Sequence, residues 1–126
     1  MLNSITQQVW FRCLSFVMVC TAVLYALFRP TPPAMVFEHS DKAGHIVAFM
    51  ALTVTSRMVF FRYSRFASLF VMLFLAFALE YLQGELRPLR LFSCFDVVAN
   101  MAGVMVGFVA EQVYIIKNRG KSVFNK

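Results

Sequence analysis

The chain has 126 residues, of which 60% are hydrophobic and 14% charged, with 15 phenylalanines. Soluble domains carry about 25% charged residues, so there is too little polar surface here to cover a water-soluble globule. The formal net charge of +6 sits on residues that flank apolar runs, not on an interleaved basic and aromatic patch, which argues against nucleic acid as a partner.

Four apolar runs, at about residues 9–28, 43–61, 66–83 and 95–116, each approach the roughly 20 residues that cross a hydrocarbon core. None shows period-two alternation, and open sheet edges cannot be satisfied in lipid. The expected fold class is therefore all-α. It is a single-domain, polytopic integral membrane protein with four transmembrane helices in a compact bundle.

The first run is interrupted only by Arg12. It is longer than a usual signal-peptide core, and Phe28-Arg29-Pro30 is a poor cleavage site, so it reads as a retained anchor. Arg29-Pro30-Thr31-Pro32-Pro33 then stops the helix, because proline lacks an amide donor and restricts the residue before it. Asp41, with Ser40 as competitor, is placed to cap the second helix. A tight turn at residues 62–65 makes helices two and three an antiparallel hairpin. Pro88 lies in the third loop, and residues 117–126 form a basic tail expected to be mobile.

Basic residues set the orientation. Arg12, Arg57, Arg62, Arg65, Lys117, Arg119, Lys121 and Lys126 fall on one side; Arg29, Lys42, Arg87 and Arg90 fall on the other. The richer side is cytoplasmic, so both termini are expected there. Glu38, Asp41, Glu80, Glu85 and Asp96 sort to the outer side, and Glu111 lies near the inner one. Trp10 and Tyr63 mark the inner interface, Tyr25 and Tyr81 the outer one. Cys13 and Cys20 are one heptad apart and read as packing residues. Cys94 has no evident partner. No C-x-x-C or two-histidine spacing is present, so no cofactor is expected and a metal is poorly supported, although one well-placed histidine with hard carboxylates would suit several ions.

Three polar pairs at helical spacing share the outer face: Asp41/His45, Glu80/Gln83 and Asp96/Asn100. A carboxylate inside a span is costly and usually faces the protein interior or water. Each pair also has a plain structural reading. Asp41 and Asp96 suit helix N-termini, Asn100 suits an interhelical hydrogen bond, and Glu80 suits an interfacial group reaching water. Glu80 is the most informative, because it follows a nearly unbroken apolar run and is expected at a helix C-terminus, where the macrodipole opposes a negative charge. The face carrying Asp96 and Asn100 continues through Gly103 and Gly107, a small-residue motif that lets helices approach closely. Both polar side chains are therefore expected inside the bundle, with the site built from helices two, three and four. Arg87 reads as a snorkelling or headgroup-contacting residue.

The order Asp41-Lys42-x-x-His45, Glu80-x-x-Gln83, Pro88-x-Arg90, Asp96-x-x-x-Asn100-x-x-Gly103 resembles the VanZ-like membrane proteins over roughly residues 35–110. These are small bacterial multi-helix proteins named for a teicoplanin-resistance protein. The chain departs from the family's usual Pro-Gly-Arg, having Pro88-Leu89-Arg90, and has Phe49 where Tyr is common. The resemblance implies a multi-pass protein of the bacterial cytoplasmic membrane, surrounded by membrane lipids and linked to the cell envelope and to antibiotic resistance. It implies no established reaction.

Three functions are compatible with these residues. In the first, an outer-face pocket binds or modifies a lipid headgroup, a lipid-linked sugar or a glycopeptide. Arg90 contacts an anionic group, while Asp41, Gln83 and Asn100 orient the ligand. In the second, the chain is an enzyme hydrolysing or transferring a lipid phosphate-type substrate. Glu80 or His45 is then the general base, Asp96 its supporting carboxylate and Arg90 the clamp. The third is a proton-coupled transporter, which would require a homo-oligomer to complete a pathway. The residues favour the first and leave the question of turnover open.

Overall fold

A computed structural model describes residues 2–30, 38–87 and 91–124. Four helices follow in order: α1 (Leu2–Phe28), α2 (Ser40–Val59), α3 (Arg65–Leu86) and α4 (Cys94–Phe124). Their boundaries follow from local chemistry. Arg29 closes the last turn of α1 on the Tyr25 carbonyl at 2.9 Å, and Pro30 prevents continuation. Neither Asp41 nor Ser40 caps α2. The N-cap is His39, in the left-handed conformation (φ 65°), without a side-chain cap bond; its carbonyl instead accepts from the Lys42 and Ala43 amides. Ser64 caps α3 after the expected tight turn, accepting from the Ala67 amide. Ser93 serves α4 in the same way, its Oγ accepting from the Asp96 amide at 3.3 Å. The fourth helix continues through the basic segment to Phe124, past the expected end near residue 116.

Alternating helix directions place the start of α1, the α2–α3 turn and the C-terminal half of α4 at one end of the bundle. Arg12 lies over the Phe61 ring there, 5.7 Å from its centroid. The C-terminal ends of α1 and α3 and the starts of α2 and α4 meet at the other. The α2–α4 pair is the most extensive contact, with α1 laid against α2 and α3 against α4.

The close α2–α4 approach rests on two glycines. A Cβ at Gly103 would collide with the Ile46 carbonyl oxygen, and one at Gly107 would lie 2.9 Å from the Thr53 Cβ and 3.0 Å from the Met50 oxygen. Between the two ends sits an apolar core of Phe49, Leu52, Met72, Ala76 and Val104.

Among the described residues three helices are long and apolar enough to cross a membrane: Ile5–Phe28, Arg65–Leu86 and Cys94–Asn118. The expected fourth, on α2, falls short by composition, although this helix packs along α1 and α4 and returns the chain from one end of the bundle to the other. That helix carries His45, Thr53, Ser56 and Arg57, all buried, so its polarity is turned into the bundle and its composition falls short of an apolar span. The spanning helices show the inverse pattern. Phe70, Phe74, Val98, Val113 and many similar side chains are exposed, an apolar surface far beyond that of a soluble monomer.

Candidate functional site

His45 of α2, Glu80 of α3 and Asp96 of α4 converge at one end of the bundle. One candidate ligand atom from each lies within 4.8 Å of the others, and all three residues are buried, with relative exposures of 6%, 1% and 5%. His45 Nε2 and Asp96 Oδ2 are 3.9 Å apart.

Asn100, one turn beyond Asp96, holds the imidazole. Its Nδ2 donates to the Ala76 carbonyl at 3.2 Å, so its Oδ1 is the atom facing His45 Nδ1 at 2.8 Å. An amide oxygen only accepts. Nδ1 therefore carries the proton, and in the neutral ring the lone pair belongs to Nε2, on the carboxylate side. Serial hydrogen bonds through α3, α4 and α2 thus select a tautomer.

The second members of the first two pairs behave differently. Asp41 is partly buried and accepts from Lys42 Nζ at 3.4 Å; no contact joins it to the cluster. Partial burial is the largest influence on its carboxyl and raises the pKa, but the Lys42 amide and ammonium together outweigh it and hold the group below its ordinary value. Gln83 is fully buried, one turn beyond Glu80 on the same helix face. Its Nε2 donates to the Leu27 carbonyl at 2.7 Å, and its Oε1 is buried without a hydrogen-bond partner.

Two expectations about this end change. Glu80 does not sit at a helix C-terminus, because α3 runs on to Leu86. The macrodipole acts mainly within the last turn, so burial, not the dipole, is what makes this carboxylate unusual. Arg87 does not snorkel. It is buried and donates to the Leu27 carbonyl at 3.1 Å and to the Pro30 carbonyl at 2.8 Å. With Gln83 it caps the C-terminus of α1, whose last carbonyls have no partners inside the helix. Arg90 and Pro88 lie outside the described residues.

A second polar knot occupies the opposite end. Arg57 Nε donates to Glu111 Oε1 at 3.0 Å, and its Nη1 reaches the Phe60 and Tyr63 carbonyls and Ser68 Oγ. Arg65 donates to Gln112 at 2.8 Å. Every contact of Arg57 closes a turn or ties two helices, which is the work of a structural residue. Nearby, Gln7, Gln8, Phe11, Arg12 and Met58 line a groove that contains none of the sequence-derived site residues. Cys13, Cys20 and Cys94 are free thiols.

The VanZ/LLP1 family model matches residues 4–116. No curated protein and no solved structure shows a significant match. The chain belongs to the VanZ-like family.

Proposed function

We propose that this VanZ-like chain is a multi-pass protein of the bacterial cytoplasmic membrane whose His45–Glu80–Asp96–Asn100 cluster binds or modifies the polar part of a cell-envelope amphiphile. The observation that carries the reading is two carboxylates and an imidazole gathered from three helices of a lipid-exposed bundle. Such groups are rare inside membranes and mark functional positions. The basic asymmetry orients the cluster outward and puts both termini in the cytoplasm. The ligand classes that fit are a lipid headgroup, a lipid-linked sugar or a glycopeptide, with a consequence for envelope-antibiotic resistance. Gln83 and Arg90 are the further ligand-contacting candidates. Asp41 contributes at most through its charge, since its contact is to Lys42.

One observation favours a catalytic version of the same reading. The Asn100 bond leaves His45 Nε2 as the basic nitrogen, 3.9 Å from Asp96 Oδ2. A base oriented by one hydrogen bond and flanked by a carboxylate suits hydrolysis or transfer on a lipid phosphate-type substrate. Proton-coupled transport is less well supported, because the apolar layer of Phe49, Leu52, Met72, Ala76 and Val104 separates the two polar ends.

The test is complementation of a deletion strain with wild type, His45→Gln and Asp96→Asn at matched membrane levels, read as susceptibility to teicoplanin and other envelope-directed antibiotics. Loss of protection in both variants is expected. Full protection by both would refute the assignment.

A further inference from the structure

We infer that the His45–Glu80–Asp96 cluster is a binding site for one divalent transition-metal ion of the zinc or manganese type. This deepens the reading above and rests on the same cluster, naming the cation through which it would engage an anionic or carbonyl-bearing ligand.

Distance is the first argument. Metal–nitrogen and metal–oxygen bonds of about 2.0–2.2 Å place any two ligands of one ion at most about 4.4 Å apart. His45 Nε2 and Asp96 Oδ2 already satisfy this at 3.9 Å. The full set, within 4.8 Å, needs only a few tenths of an ångström of closure. Side chains on three packed helices can make that adjustment by small rotamer shifts.

Tautomer is the second. Metal-bound histidines characteristically donate the remote ring N–H to a carbonyl or carboxylate, which fixes the ring and leaves the other nitrogen for the ion. Asn100 does this for His45, and is itself oriented by the Ala76 carbonyl. The nitrogen left as a lone-pair donor is the one facing Asp96.

The third argument lies outside the triad. Gln83, fully buried on the same face of α3 one turn from Glu80, has an Oε1 with no hydrogen-bond partner. An amide oxygen there is a hard donor available to the ion directly or through a bound water. The resulting set of one imidazole nitrogen with carboxylate and amide oxygens suits zinc, manganese or ferrous iron. Calcium and magnesium take oxygen ligands almost exclusively, so the histidine selects against them. No thiol belongs to the set. Sequence spacing marks these residues as a candidate polar site but carries no metal-ligand motif, because each of three separate helices supplies one ligand.

The test uses the full chain, purified in detergent, stripped with EDTA and titrated with Zn²⁺, with Mn²⁺ and with Mg²⁺. Elemental analysis counts the bound ion, and zinc K-edge absorption reads its ligands. One zinc per chain is expected, with a nitrogen and oxygen shell including one imidazole, and with Mg²⁺ failing to compete. Binding should vanish in His45→Gln and in Asp96→Asn. It should weaken about 10–100-fold in Asn100→Ala and persist when Cys13, Cys20 and Cys94 are all changed to Ser. Absence of a stoichiometric ion, sulfur in the shell, or binding that survives the His45→Gln/Asp96→Asn double change would overturn the inference. If the variants fail to fold, the wild-type stoichiometry and absorption spectrum decide it. Bound metal alongside an antibiotic phenotype indifferent to these residues would refute the functional reading and leave the ion site standing. A phenotype that depends on them without bound metal would do the reverse.

Discussion

Asn100 Oδ1 accepts from His45 Nδ1 at 2.8 Å, across the most extensive helix contact among the described residues. Both residues are buried, and the same amide reaches α3 through Ala76. One side chain therefore ties three helices together at the point where the titratable groups meet.

Replacing Asn100 by Ala removes both bonds and leaves the His45 Nδ1–H without its acceptor, whereas the Ala76 carbonyl keeps its bond within α3. A buried donor without a partner costs about 1–3 kcal/mol. Thermal unfolding in detergent should show Asn100→Ala melting below wild type by an amount in that range, with helix content unchanged before the transition.

The glycine seam predicts an ordered pair of effects. At Gly103 an added methyl meets the Ile46 backbone oxygen, which cannot rotate away; at Gly107 the nearest atom belongs to the Thr53 side chain, with the Met50 oxygen close behind. Overpacking typically costs about 1–3 kcal/mol. Gly103→Ala should fall at the upper end or beyond, and Gly107→Ala should be milder. Equal melting temperatures for the two would contradict the packing described.

The Arg57–Glu111 pair tests the structural character of the opposite end. Removing one partner of a fully buried ion pair costs about 3–5 kcal/mol, an upper bound for this partly buried one, whereas replacing both by apolar residues is often near neutral. Arg57 also serves the Phe60 and Tyr63 carbonyls, so some loss should remain. The expected order of stability is wild type, then Arg57→Met/Glu111→Leu, then Arg57→Met alone. Antibiotic susceptibility per folded molecule should not change in the double variant.

Much of this was legible in the sequence, and the limits have physical causes. Long apolar runs, the proline stop after Arg29 and the turn before Arg65 locate the helices, because helix length and proline chemistry are local. Gly103-x-x-x-Gly107 gives the buried face of α4, since only small residues allow such an approach. From composition alone α2 reads as an apolar span, because a run of composition does not reveal that His45, Thr53, Ser56 and Arg57 share the interior. The role of Arg87 is not legible locally, because its acceptors, the carbonyls of Leu27 and Pro30, lie 60 and 57 residues away in the chain. The triad is illegible as a metal motif for the same reason: each helix supplies one ligand, so no spacing signals it.

Orientation is open to direct labelling. Glu85 and Asn118 are exposed at opposite ends of the bundle. In a background with the native cysteines changed to Ser, Glu85→Cys should react with an impermeant maleimide from outside intact cells. Asn118→Cys should react only after the membrane is opened. The reverse pattern would turn the cluster toward the cytoplasm and remove its access to outer-face envelope ligands.

Glu80→Gln, assayed in parallel for detergent-solubilised thermal stability and for envelope-antibiotic susceptibility, is the most direct test that the cluster is a working site and not a structural one. The substitution keeps the shape of a side chain that is 1% exposed and replaces an ionisable carboxyl with an amide that cannot titrate. A functional carboxylate predicts a protein that melts close to wild type yet has lost its protective effect. A variant that is both as stable and as protective as wild type would contradict the assignment.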